Sequence, residues 1–294
     1  MKTKLKIFFS ILILLGVLAL LALFVSTHNV PVMEPKGMIG LKEKEIIITA
    51  ALLMLIVVLP VYALTIWFCV RYRAGQKKSK HTPDWEHNSI AECCWWGVPF
   101  IIIVILAVIT WRSSHELNPY TPIDGGQKPL TVQVVALDWK WLFIYPEQGI
   151  ATVNFVQFPE KTPISFEITA DAPMNSFWIP QLGGQIYAMP AMRTRLHLIA
   201  DEMGSYRGSS SNISGKGFAG MVFTAKSSSQ KEFDEWVESV KQSSDHLTLE
   251  EYNQLAEPSE YNPVASYVLM QEDLFDQIIM KYTAPLQQDK SLMK

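Results

Sequence analysis

Two uncharged stretches, roughly Ile46–Val70 and Cys94–Trp111, constrain this chain more than any other feature. A helix rises about 1.5 Å per residue, so a bilayer core about 30 Å thick takes about 20 apolar residues. Both stretches are close to that length, and a backbone inside lipid must satisfy its own hydrogen bonds, which makes each a helix. Pro60 and Pro99 lie inside them, and packed membrane helices tolerate both. Trp67, Trp95, Trp96 and Trp111 lie near the ends, where aromatic belts form. A third run, Ile7–Val25, follows Lys2, Lys4 and Lys6. Its charged start fits a secretory signal, but its length and the poor Phe24/Ser26 cleavage pair fit a retained helix better. Both readings of residues 1–26 stay open. No cysteine near the end of this run offers a lipoprotein anchor.

Between Ile46–Val70 and Cys94–Trp111 lie Arg71, Arg73, Lys77, Lys78 and Lys80. Basic loops stay in the cytoplasm, so the chain after Trp111 is exported, into the periplasm of a Gram-negative cell. The anchor then occupies residues 27–112. Cys69, Cys93 and Cys94 are the only cysteines, all at the cytoplasmic ends of membrane segments. The exported part therefore has no disulfide and no thiolate metal site. A net charge of −3 argues against nucleic-acid binding.

From Leu130 the texture changes to short alternating stretches. Thr131–Leu137, Trp141–Tyr145, Ile164–Ala170, Arg193–Ala200 and Phe218–Ala225 read as strands, broken by Pro146, Gly149, Pro159, Pro163, Gly183-Gly184 and Gly204. Many short strands with frequent turns predict a β-sandwich or barrel over residues 128–226. Residues 227–294 read as a helical extension. Ser229-x-x-Glu232 is a capping-box pattern, followed by Phe233, Trp236, Val237 and Val240 at helical spacing. Thr248-x-x-Glu251 repeats the pattern before Pro258, and a third helix is predicted from about Gln271 to Tyr282. This tail holds 13 acidic side chains against five lysines, read as a solvated face rather than a docking surface.

Five motifs carry a resemblance. Asp138-Trp139-Lys140-Trp141 with Tyr145 is an aromatic Trp-x-Trp segment. Met174-Asn175-Ser176-Phe177-Trp178-Ile179-Pro180 and Gly183-Gly184-Gln185-Ile186-Tyr187-Ala188-Met189-Pro190 follow. Residues 204–221 open with Gly204-x-Tyr206-x-Gly208 and end at Met221. The fifth is Pro258-Ser259-Glu260-Tyr261-Asn262. Together they resemble subunit II of the haem–copper oxidases over roughly residues 35–283, and specifically the branch of cytochrome bo-type ubiquinol oxidases. The resemblance implies a membrane-anchored all-β protein: transmembrane helices, then a cupredoxin-like Greek-key sandwich.

In copper-bearing relatives the 204–221 loop reads Cys-x3-Cys-x3-His-x2-Met. Here Ser210 and Ser214 stand at the cysteine positions, Phe218 at the histidine and Asn212 at the glutamate that lends a carbonyl. Asn175 stands at the other histidine, and Met221 alone is kept. Copper centres need thiolate and imidazole donors, and a lone thioether is a weak ligand. His115, His197 and His246 fall at no ligand position. The resemblance therefore implies a subunit that binds no cofactor itself, with haem, copper and ubiquinol held in subunit I. It implies subunits I, III and IV as partners within a bacterial inner membrane, and no cytochrome c. Trp139 and Trp141 become packing residues. Glu92, at the cytoplasmic mouth of the Cys94–Trp111 run, is a candidate for collecting protons, beside the reading of an ordinary interfacial carboxylate. Two alternatives are an altered cytochrome c oxidase subunit II and a stand-alone membrane-tethered cupredoxin-like binding protein.

Overall fold

The computed structural model describes residues 30–73 and 87–283, together with Gly16, Ala19, Leu20, Leu23 and Phe24. The reading of Ile7–Val25 falls mainly outside these residues, and that of Lys77, Lys78 and Lys80 wholly so. Helix α1 spans Met38–Arg71 and α2 spans Ser89–Glu116, with Pro60 and Pro99 inside them. Both are longer than the apolar runs. In α1 the polar Lys42–Glu45 turn continues the helix, because Lys and Glu are good helix formers. In α2 the Asn88 side chain accepts from Ala91 N at 3.0 Å and fixes the start ahead of Cys94. By length and composition both helices can cross a membrane.

The chain divides into two compact units, Lys42–Thr121 and the remainder. The first turn of α1 belongs to the second, globular unit. Lys36 N donates to Gln181 O at 2.7 Å and Gly40 N to Leu182 O at 3.0 Å. A side chain at Gly37 would bring Cβ within 2.3 Å of Ile199 O, so glycine is required there.

In the globular unit β1 is Leu130–Leu137, β2 Lys140–Tyr145, β3 Ile150–Val153, β4 Phe155–Pro159, β5 Ile164–Ala170 and β6 Asn175–Trp178. Then come β7 Ile186–Ala188, β8 Thr194–Leu198, β9 Gly204–Ser210, β10 Val222–Ser228, β11 His246–Leu247 and β12 Ala265–Leu269. Helices α3 Gln230–Lys241, α4 Leu249–Ala256 and α5 Leu274–Thr283 interleave the last strands. The strands form a seven-stranded sheet, β11-β12-β3-β2-β1-β5-β8, and a five-stranded sheet, β4-β10-β9-β6-β7.

The larger sheet is buried on both faces, which explains why β2 after Lys140 runs Trp-Leu-Phe-Ile-Tyr rather than alternating with polar residues. Trp141, Phe143 and Tyr145 face the sandwich core with Phe166, Phe177 and Phe223. Leu142 and Ile144 face the other way, under Leu247, Tyr252, Leu274, Phe275 and Ile278 of the tail. The tail is thus a packed layer rather than a purely helical appendage. Its strand β12 pairs antiparallel with β3, and β11 pairs parallel with β12.

Two differences from the sequence reading have clear causes. The stretch Phe218–Ala225 is not all strand: Phe218–Gly220 forms a 3-10 turn and β10 begins at Val222. Gly215 at φ +118° and the glycines at 217 and 220 allow the chain to double back there. Strand β9 was not read because Gly-Ser-Tyr-Arg-Gly-Ser-Ser offers almost no apolar alternation. Gly208 is needed within it, since a Cβ would meet the Phe223 ring at 2.0 Å.

Candidate functional site

Strands β6 and β9 run antiparallel, with Phe177 opposite Ser210. This pairing brings Asn175, at the start of β6, next to Ser210, at the end of β9. Both are buried, with relative exposures of 1% and 5%. The Ser210 hydroxyl lies 3.0 Å from Asn175 Oδ1 and 3.2 Å from Asn212 O, the two acceptors open to its single proton. It accepts from Ser176 N and Asn212 N, each at 3.4 Å. Asn175 Nδ2 donates to Pro173 O at 2.8 Å, and Asn212 Nδ2 to Met174 O at 2.9 Å. Met221 joins through the main chain, since Ser210 N donates to Met221 O at 3.2 Å. The outcome is a neutral circuit of hydroxyl, amides and backbone.

Ser214 and Phe218 lie in a different setting. Ser214 O accepts from Trp139 Nε1 at 3.3 Å, while Ser214 Oγ is buried without a partner among the described residues. Phe218 opens the 3-10 turn and is half-buried. Among the described residues no group of three or more His, Cys, Asp or Glu side chains is placed to hold a metal ion.

The hairpin joining β1 to β2 separates the two tryptophans. Trp139 sits in the turn at φ +62°, a conformation rare for a bulky residue. Its ring covers Gly217 so closely that a Cβ there would come within 2.5 Å of it. Trp141 is fully buried, edge-on to Phe177 and Phe223 at 5.4 and 5.8 Å between centroids. Its indole N–H has no partner among the described residues.

Between them Lys140 is only 1% exposed. Its ammonium donates to Leu255 O at 2.7 Å, Glu257 O at 2.8 Å and Ser259 Oγ. Burial pulls its pKa below the usual lysine value, against the opposing pull of Asp138 and Glu257. The sequence reading quoted Lys140 only as part of a motif. A charge inside an apolar strand between two tryptophans was the available signal.

Asp171 was not singled out either. Its side chain, 1% exposed, follows β5 and accepts from Lys281 Nζ at 2.7 and 3.0 Å, Tyr252 OH at 2.6 Å and Tyr282 OH. Nothing local marks it, because its side-chain partners lie at least 81 residues away.

In the other unit Glu92 occupies the first turn of α2, half-exposed, with Oε1 3.4 Å from His87 Nδ1. A carboxylate there is favoured by the helix dipole.

The chain is 52% identical over 270 residues to cytochrome bo(3) ubiquinol oxidase subunit 2 of Pseudomonas putida, covering 92% of this chain and 86% of that protein. It is 49% identical over 261 residues to the protein of the same name from Pseudomonas aeruginosa, covering 89% and 79%. With ubiquinol oxidase subunit 2 of Acetobacter aceti it shares 48% identity over 275 residues, covering 93% and 89%. The chain belongs to the ubiquinol oxidase subunit II family. Residues 146–228 match the family model described as the cytochrome c oxidase subunit II periplasmic domain. Residues 241–285, which include the described layer over the outer face of the larger sheet, match the COX aromatic rich motif. As a ubiquinol oxidase subunit II the chain is a subunit of an oxidoreductase complex, and its two apolar helices fit a membrane-anchored subunit.

Proposed function

We propose that this chain is the metal-free subunit II of a proton-pumping ubiquinol oxidase, which oxidises membrane quinol and reduces oxygen to water. The relatives' names support the quinol substrate. The hydrogen-bonded circuit at Asn175, Ser210 and Asn212 supports the absence of copper. A copper centre would draw its stability from anionic sulfur and imidazole nitrogen. Here the ligand positions offer a neutral hydroxyl and amides already committed to each other, with a phenyl ring at 218. Binding a metal would break these bonds and put no anionic donor in their place. The donor set does not fit copper.

Without an exported copper relay, electrons must reach subunit I from a donor dissolved in the bilayer. The redox groups are assigned to subunit I, and this chain supports its assembly and covers its exported face, alongside subunits III and IV in the bacterial inner membrane. Trp139 and Trp141 serve packing: one roofs the glycine loop, the other fills the sandwich core.

The deciding experiment purifies the chain with its native partners and measures copper bound to it, the haem spectrum, and oxygen uptake. Uptake with quinol and none with reduced cytochrome c is the expected result. Two copper atoms per copy of this polypeptide, or respiration on cytochrome c alone, would overturn the reading. For Glu92 we propose proton collection at the cytoplasmic surface, motivated by its place in the first turn of α2. Glu92→Gln is expected to lower turnover and pumping together, and no change in either would remove the assignment.

A further inference from the structure

A loop built from Ser211 to Gly220 has three glycines, one half-buried phenyl ring and no regular ladder. Such a segment loses much conformational entropy on ordering, so something must hold it. Its first residues are tied to β6 and its lead-in, Ser211 N to Ser176 O at 3.1 Å and Asn212 Nδ2 to Met174 O at 2.9 Å, and from Ser214 on its fastenings lead to two further places. One is Trp139, through the Ser214 carbonyl and the roof over Gly217. The other is the stretch after α4: Lys216 pairs with Glu260 at 2.8 Å, and the Tyr261 ring lies on Gly220, where a Cβ would come within 2.9 Å.

That stretch is itself tied to the aromatic hairpin. Lys140 holds it at Leu255, Glu257 and Ser259. Asn154 accepts from Trp141 N at 2.9 Å and donates to Asn262 O at 2.9 Å. Ser259 and Asn262 close on each other at 2.8 and 2.9 Å.

We infer that residues 255–262 form a strap that orders loop 211–221, with Lys140 as its positioning residue, so that the tail performs the cross-linking a metal would perform. The comparison with a metal rests on the metal-free reading above, whereas the strap itself does not. Three tail oxygens converge on one buried ammonium, and Lys140 lies between the tryptophan that roofs the loop and the one whose backbone N–H meets Asn154. Loop, hairpin and strap therefore form one unit, and loosening the strap frees the loop first.

The test is segment-resolved hydrogen exchange on the assembled oxidase in detergent. Lys140→Met is expected to speed exchange in 211–221 and in 255–262 at least tenfold while β1 and β5 stay unchanged. Lys140→Arg, which keeps the donors, is expected to restore part of the protection. Should Lys140→Met fail to assemble, the pair Glu260→Gln with Tyr261→Ala decides, with severalfold faster exchange confined to 211–221. Unchanged exchange in that loop in the variant that decides overturns the strap. Copper measured on the same wild-type sample separates the two claims: bound copper sinks the metal-free reading, and the exchange result stands or falls without it.

Discussion

Asp171 shows how much a single buried carboxylate can organise. Two tyrosine hydroxyls and one ammonium converge on it from α4 and α5, while its own N–H donates to Ala136 O in β1 at 2.9 Å. Charge-assisted hydrogen bonds are roughly twice as strong as neutral ones. Asp171→Asn keeps the shape but loses the charge, and the cost is about 2 kcal/mol, because Lys281 is half solvated and can return to water. The expected readout is early tryptic cleavage at Lys281, with the sandwich intact. Equal cleavage rates in both proteins would show that the apolar contacts of α5 suffice. Residue by residue, the sequence exposed what was negative about the site, the missing sulfur and imidazole donors. It hid what was positive. The Lys140 and Asp171 side chains act through partners 81 to 119 positions away, and Asn154 reaches Asn262 across 108 positions, and no local pattern encodes such distances.

Elements were legible where the pattern was local. The capping box at the start of α3 is present as read: Ser229 Oγ accepts from Glu232 N at 3.2 Å, and a Glu232 oxygen accepts from Ser229 N at 3.1 Å. The Ser229 hydrogen bonds hold the Glu232 carboxyl below the usual range. Phe233, Val237 and Val240 then fall on the buried stripe. Ser229→Ala is expected to cost about 1 kcal/mol, seen as roughly fivefold faster amide exchange in the first turn of α3. An unchanged rate would mean that packing of Phe233 against Tyr145 and Trp236 holds the turn alone. The short strands escaped the reading for the opposite reason. β11 and β12 exist because the tail folds back onto β3, and two to five residues of mixed polarity carry no period by themselves.

At the scale of the whole molecule, the sandwich and its tail layer share one exposure to alkali. Burial raises the pKa of Tyr145 and Tyr252 far above the usual 10.0, and pushes Tyr206 and Tyr282 up to about 12, with neighbouring carboxylates adding to the effect in all but Tyr145. These four come from β2, α4, β9 and α5, so they sample both faces of the larger sheet and the smaller sheet. A phenol whose folded pKa is raised favours the folded state while it stays neutral. Its contribution is fully present below pH 10.0, the unfolded value, and is lost as pH rises through the folded value. Stability is therefore expected to fall steeply between pH 10 and about 12. Lysine works the other way at Lys140: its lowered pKa means that stability tied to this residue rises as pH approaches 10.5, but one partly compensated group does not offset four tyrosines. Ultraviolet titration of tyrosinate on the purified protein checks this. The buried tyrosines are expected to ionise only together with loss of near-ultraviolet circular dichroism. A single reversible step near pH 10 involving every tyrosine, with the dichroism retained, would show that these phenols are open to solvent and that the tail does not seal the sheet.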